Sequence, residues 1–234
     1  MNSLNPAGPS LAARMGGATY IAASVGFLVV FSWLAARFGY PDVLDQPAGD
    51  VLPSLLALGG AGRTVWILYA ILPLTLIGAA VGASDALRHP DGRNATALRL
   101  GVVLQVVAAL AMTLGLARWS TAQWVLAEAW PTADAAQQQS LTVVFDALNS
   151  YLGNAIGEFV GELALYASFA AFAVALWRIG GRKMAVLGAV TAAFGLIGMF
   201  RNITTAVQPV ADVTNLLLPV FLIAFGTAVM RRRE

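Results

Sequence analysis

Four polar residues recur at intervals of four in an otherwise apolar part of the sequence: Asn154, Glu158, Glu162 and Tyr166. Residues four apart lie on one face of an α-helix, so this spacing predicts a polar stripe along a single helix. A glutamate inside the hydrocarbon of a membrane is costly unless it is protonated or faces a cation, water or other helices. The two carboxylates therefore predict a site for an ion or a small solute, with Asn154 and Tyr166 as polar neighbours.

Three further charged residues are expected at the depth of Glu158: Arg118, Arg201 and Asp212. Each of the four lies nineteen or twenty residues from a cation at the other end of its predicted helix. That separation corresponds to roughly 28–30 Å along an α-helix. We expect Arg118 and Arg201 to pair with the glutamates and to set their charge state. In this hypothesis Glu162 is the titrating or ligand-binding carboxylate and Glu158 is its partner.

Two interpretations of this polar layer remain open. It is either a binding site, or an ion-paired network that ties the helices together, with arginines whose long side chains reach the membrane surface. Carboxylates four apart also occur at catalytic metal sites, but only Asp212 and Asn154 are available as further ligands. The chain has no cysteine and one histidine, His89. We therefore expect no metal and no cofactor.

A stripe of glycines precedes the polar residues by one position: Gly153, Gly157 and Gly161. Glycines spaced by four let another helix approach closely, since no side chain separates the two backbones. The stripe is therefore predicted to be a helix-packing surface. It can serve a helix of this chain or a partner protein.

The composition predicts the elements that must position these residues. Hydrophobic residues make up 59% of the 234 and charged residues 11%, whereas a soluble domain is about half apolar and about a quarter charged. Together with a mean hydropathy of +0.74, this favours an integral membrane protein. Residues 1–234 are predicted to form a single all-α domain, a polytopic membrane helix bundle. Its six transmembrane helices are Gly17–Phe38, Val65–Leu87, Leu100–Ala117, Glu158–Trp177, Met184–Phe200 and Val213–Met230.

The cations predict the orientation. Ten of the fourteen fall on one side of the proposed spans: Arg14, Arg88, Arg93, Arg99, Arg178, Arg182, Lys183, Arg231, Arg232 and Arg233. Loops rich in lysine and arginine stay in the cytoplasm, so we expect both termini there. The net charge of +2 then hides two unlike faces, +7 in the cytoplasm and −5 outside.

Residues 39–64 and 118–157 are predicted to form an outer cap of short amphipathic helices. One is expected over Val51–Leu58 with Asp50 as its N-cap, and a second over Thr121–Trp130. A third is expected to run directly into the fourth span, because apolar residues recur at helical spacing from Leu141 to Leu152. The aromatic residues of these segments are typical of a belt at the membrane interface: Trp119, Trp130, Tyr40 and Tyr151.

The chain resembles the bacterial membrane protein family named domain of unknown function 4386. The resemblance lies in residues 14–21 (RMGGATYI), in residues 149–161, which begin NSYLGNAIG, and in residues 176–183 (LWRIGGRK) with Leu187 and Gly188. It implies a bacterial inner-membrane protein. In that family the positions of Glu158 and Glu162 are usually apolar, and the family has no assigned activity, so the resemblance implies no role for them.

These observations predict a protein that binds or transports a small solute or ion through the outer half of the bundle. The alternative is a non-catalytic scaffold subunit that docks a membrane protein through the glycine stripe and the cap. The third interpretation, which the sequence does not favour, is a membrane enzyme acting on a lipid-like substrate. The expected contacts are the bilayer, a small solute, ion or lipid ligand, and a membrane partner or second copy. Nucleic acid is not expected, because no basic stripe stands apart from the cytoplasmic loops.

Overall fold

Helices account for nearly all of the chain because a backbone in lipid must satisfy its hydrogen bonds internally. The computed structural model describes residues 8–232, so Arg233 and Glu234 lie outside the described residues. Within that range the helices are α1 (Leu11–Phe38), α2 (Ala48–Ala57), α3 (Gly59–Leu87), α4 (Ala95–Ser120), α5 (Ala122–Ala129), α6 (Ala135–Leu148), α7 (Gly161–Arg178), α8 (Arg182–Gly198) and α9 (Gln208–Met230). A π-helical segment, Asn149–Val160, joins α6 to α7. Six helical stretches in the described part are long and apolar enough to cross a membrane, which confirms the all-α bundle.

The long helices form a ring in chain order. α1 packs against α3, α3 against α4, α4 against α7, α7 against α8, α8 against α9, and α9 returns to α1. Glycines make the closure possible, because a Cβ on Gly16 would lie 2.8 Å from the backbone of Gly82 on α3. Gly17 on α1 meets Gly226 on α9 in the same way. The crossings alternate in direction and bring the described members of the predicted cytoplasmic cations to one end, where Arg178 contacts Arg93 and where Arg231 and Arg232 lie near the α7–α8 turn. This end is called the arginine-rich end below, and the opposite end is the cap end.

The interior of the ring is filled by aromatic side chains. Phe221 lies between Phe169, with ring centroids 4.6 Å apart, and Phe225, at 5.4 Å. Tyr20 packs edge-on against Phe225 at 5.1 Å. These rings are almost fully buried. Passage of a solute through the centre therefore requires helices to move.

A second core holds the cap on the bundle. The rings of Trp66 on α3 and Trp119 on α4 stack at 5.0 Å, and Phe38 packs edge-on against both. Leu52 and Phe145 bring α2 and α6 onto this cluster. Trp119 is therefore an internal packing residue, and its predicted place in an interfacial belt is wrong.

The cap helices follow the prediction with shifted bounds. α2 begins at Ala48 after an extended Pro47, which places Asp50 in the first turn of the helix rather than at its N-cap. A carboxylate is still favourable there, because it faces the positive end of the helix dipole. α6 continues through the π-helical segment into α7 as one helical stretch from Ala135 to Arg178, as the apolar spacing predicted.

Candidate functional site

The two glutamates are positioned by the junction between the π-helical segment and α7. Glu158 lies near the end of the π-helical segment, and Glu162 lies in the first turn of α7. The bonds of a π-helix run between residues five apart, so its turns are wider than those of an α-helix. Glu158 and Glu162 both face α8, whereas Asn154 is exposed and lines a cleft beside the cap. The single stripe expected from Asn154 to Tyr166 is therefore broken at its outer end.

Arg201 joins both glutamates. Its Nη1 donates to Oε2 of Glu162 at 2.7 Å, and its Nη2 donates to Oε1 of the same carboxylate at 2.8 Å. Nη2 also donates to Oε2 of Glu158 at 2.8 Å. Arg201 lies in the 3₁₀ turn Met199–Asn202 that ends α8, so the cluster ties α8 to α7 at the cap end. This pairing of Arg201 is the one that the sequence predicts.

Asn202 completes the Glu158–Glu162–Arg201 cluster. Its Nδ2 donates to Oε2 of Glu158 at 2.6 Å, so both hydrogen bonds to Glu158 reach the same oxygen. The other oxygen, Oε1, accepts no hydrogen bond from residues 8–232. Sequence reasoning missed Asn202, although its position next to Arg201 was a usable signal.

The cluster is half-buried and carries an excess of negative charge. The side chains of Arg201, Glu158 and Glu162 are 24%, 23% and 19% exposed. Two carboxylates share one guanidinium, and the cluster has a formal charge of −1 when all three groups are ionised. A small cation or a proton can therefore reach this place and neutralise it.

Arg118 does not join the glutamates directly, contrary to the expected pairing. Its Nε donates to Oδ1 of Asn149 at 3.1 Å, and its Nη1 donates to the carbonyl of Gly115. The guanidinium lies over the ring of Trp119, 5.1 Å from the ring centre, and only 5% of the residue is exposed. Arg118 reaches Asn149 because Gly153 leaves room for it, since a Cβ there would lie 2.7 Å from Nη2.

The remaining predicted site residues lie apart from the cluster. Asn154 lines an outer cleft of about 350 Å³ between the cap and the π-helical segment, together with Asp146. Asp212 is exposed and accepts a hydrogen bond from Gln208 at 3.0 Å. Tyr166 is buried, with its ring against Gly195 on α8, one turn of α7 below Glu162.

The glycine stripe packs against α4 of the same chain. A Cβ on Gly157 would lie 2.8 Å from the Cα atom of Gly115, and one on Gly161 would lie 2.8 Å from Met112. With Arg118 over Gly153, the whole stripe is covered by one helix. The stripe therefore presents no free surface to another protein, and the part of the scaffold hypothesis that depended on it is wrong.

The pKa of Tyr40, in the cap, is affected by burial and by the charged groups of the site. Burial raises the pKa of Tyr40 to about 12. The negative charge of Glu158 acts in the same direction, and the positive charges of Arg118 and Arg201 oppose it. All three charged groups therefore lie within electrostatic reach of one phenol, although Arg118 makes no direct contact with the glutamates.

A second polar group lies deeper in the bundle and was missed from the sequence. Oε1 of Gln105 accepts hydrogen bonds from Tyr20 on α1 at 3.1 Å and from Ser168 on α7 at 3.3 Å. Its Nε2 is buried without a partner among residues 8–232. The signal was one glutamine in an otherwise apolar span. Ser168 lies six residues beyond Glu162, roughly 9 Å along α7.

Among residues 8–232, no three histidine, aspartate or glutamate side chains are placed to hold a metal ion. Comparison with protein families, with characterised proteins and with solved structures gives no significant match. The resemblance to the family of unknown function stays a prediction.

Proposed function

We propose that this membrane protein binds a small cation or a proton at the Glu158–Glu162–Arg201 cluster and carries it across the bilayer. The observation that supports this function most directly is the excess carboxylate. One guanidinium neutralises one of the two glutamates, and the remaining negative charge is half-buried at the cap end of the bundle. Ionisable groups inside a membrane bundle are costly, and they commonly mark ion or proton pathways.

The geometry favours Glu158 as the exchanging group, the reverse of the assignment expected from the sequence. Glu162 is held through both oxygens by two nitrogens of Arg201. A bidentate pair of this kind is strong and fixed in orientation. Glu158 is held through one oxygen only, and its other oxygen is open to a proton or a cation. The ion pair of Glu162 and Arg201 then stays fixed, while Glu158 binds and releases the cation or proton.

Further polar groups lie deeper in the bundle than this cluster. Tyr166, one turn beyond Glu162, faces α8, whereas Ser168 faces Gln105 on α4, whose buried amide lacks a partner in the described structure. The aromatic interior closes the rest of the ring. Carriage therefore requires the helices around Gln105 to separate, as in carriers that alternate between two states.

The binding step is tested by infrared difference spectroscopy of the purified chain in lipid, with pH and Na⁺ concentration as the two variables. We expect a carboxyl band that responds to pH or Na⁺ and that Glu158→Gln removes. Asp212→Asn is the matched control, because Asp212 is an outer carboxylate outside the cluster. A band that is unchanged in Glu158→Gln, or that is lost equally in Asp212→Asn, overturns the assignment.

Carriage is tested separately in vesicles that contain a trapped pH dye. We expect an imposed potential to drive proton or Na⁺-coupled flux in the natural chain, and Glu158→Gln to abolish it. Gln105→Leu is expected to keep the carboxyl band and to lose the flux, because it removes the polar group below the site. Absence of flux in the natural chain, with the band present, leaves binding in place and refutes carriage.

A further inference from the structure

A pocket of about 210 Å³ opens at the arginine-rich end of the bundle. It lies between the ends of α3, α7 and α9 and the start of α8. Leu176, Met184, Phe225 and Val229 form much of its wall, and Arg231 and Arg232 lie at its rim. The pocket is therefore apolar inside and cationic at its mouth.

The charge at the mouth is not neutralised by the described part of the protein. No carboxylate of residues 8–232 forms an ion pair with Arg231 or Arg232. The two acidic residues of this end that the structure describes are engaged elsewhere, since Asp85 pairs with Arg88 at 3.9 Å and Asp91 contacts His89 at 2.7 Å. Among residues 8–232, an anion at the mouth therefore meets two guanidinium groups without a competing carboxylate.

The position of the pocket selects the kind of anion. Arg231 and Arg232 follow the last residue of a helix that is long and apolar enough to cross a membrane. The end of such a helix lies near the level of the lipid headgroups. The apolar wall adds a second requirement, because a free inorganic anion leaves that wall unused. An enclosed apolar cavity of about 150 Å³ is enough to hold benzene, so this one can take a short length of acyl chain.

We propose that this pocket binds an anionic phospholipid, with its phosphate on Arg231 and Arg232 and part of an acyl chain against Phe225 and Met184. The lipid then bridges the end of α9 to the turn between α7 and α8. By contacting all three of these helices, the lipid stabilises their packing at the arginine-rich end. This site is independent of the Glu158–Glu162–Arg201 cluster at the other end of the bundle.

The test measures lipid affinity on the full chain in a mild detergent by native mass spectrometry, with thermal unfolding as a second readout. The probes are phosphatidylglycerol, phosphatidylcholine with the same acyl chains, and inorganic phosphate. We expect tight binding and a raised unfolding temperature with phosphatidylglycerol alone. The double variant Arg231→Gln/Arg232→Gln is expected to bind it about thirty-fold more weakly, because each basic residue near an anionic lipid contributes about a factor of five.

Two further variants separate the pocket from the general charge of this end. Arg93→Gln/Arg99→Gln removes the same charge from the α3–α4 side and is expected to leave the affinity nearly unchanged. Ala228→Phe fills the pocket and is expected to weaken binding while both rim arginines remain. Equal losses in the two arginine double variants refute the site, and so does equal protection by inorganic phosphate. If Ala228→Phe does not fold, the two double variants still decide the question.

Discussion

Arg201 interacts more strongly with Glu162 than with Glu158, and a double-mutant cycle can measure the two interaction energies. The single variants are Glu158→Gln, Glu162→Gln and Arg201→Gln, and each glutamate variant is combined with the arginine variant. Glu162 receives two charge-assisted hydrogen bonds from Arg201, at 2.7 and 2.8 Å, whereas Glu158 receives one, at 2.8 Å. The coupling between Arg201 and Glu162 should therefore exceed the coupling between Arg201 and Glu158.

The magnitude follows from the bonds and from their exposure. A hydrogen bond to a charged group contributes about 1.5–3 kcal/mol, and partial exposure reduces this. We expect a coupling of about 2–3 kcal/mol between Arg201 and Glu162 and about 1 kcal/mol between Arg201 and Glu158. Glu158→Gln alone should change the free energy of unfolding by less than about 1 kcal/mol, because it also removes the repulsion between the two carboxylates.

The assay is reversible unfolding of the purified chain in mixed micelles, titrated with a denaturing detergent and followed by tryptophan fluorescence. Asp212→Asn serves as the control for loss of an outer carboxylate and should couple to Arg201→Gln by less than about 0.5 kcal/mol. A coupling to Glu158 that equals or exceeds the coupling to Glu162 refutes the assignment of Glu158 as the exchanging group.

Two further predictions concern the elements that hold the site. Gly157→Ala should cost about 1–3 kcal/mol of unfolding free energy in the same assay, because its Cβ would lie 2.8 Å from Gly115. Gly78→Ala is the control and should be neutral or stabilising, because nothing lies within 4 Å of a Cβ there. Equal effects of the two substitutions would contradict the close contact with α4. Asp134→Ala should cost about 1 kcal/mol, because the carboxylate caps α6 by accepting a 2.9 Å hydrogen bond from the backbone N–H of Gln137. Unchanged hydrogen exchange in the first turn of α6 would contradict this.

Hydropathy was sufficient to predict the bundle because each crossing needs about twenty apolar residues whatever its neighbours are. It could not predict the order of helices around the ring, which depends on close contacts between distant residues. Gly16 and Gly82 are 66 positions apart, and no sequence pattern marks them as contact partners. The aromatic core of the cap was missed for the same reason, since Trp66 and Trp119 meet only after α3 and α4 have packed.

The candidate site was predicted in part from the depth of the charged residues along their helices. Arg201 was matched to Glu158 and Glu162 by depth alone, and the structure confirms that match. Arg118 was assigned by the same depth and goes elsewhere, because depth does not specify the side of the ring on which an arginine lies. Asn154 lines the cleft beside the cap instead, because spacing along one helix does not specify which neighbouring element covers each of its residues.

The two ends of the bundle differ in the sign of the charge that they present to an approaching ion. At the cap end the guanidiniums of Arg118 and Arg201 are turned inward to Asn149 and to the glutamates, and Arg63 lies over Trp124. Arg37 is exposed there, but the nine carboxylates predicted for that face outnumber its four arginines, which gives the expected net charge of −5. A face of one sign raises the local concentration of the opposite ion, so the cap end attracts cations toward Glu158. The other end carries cations at helix termini and loops and attracts anions. Added salt should therefore weaken both the cation response at the cap and the anionic lipid response at Arg231 and Arg232, each through its own charges.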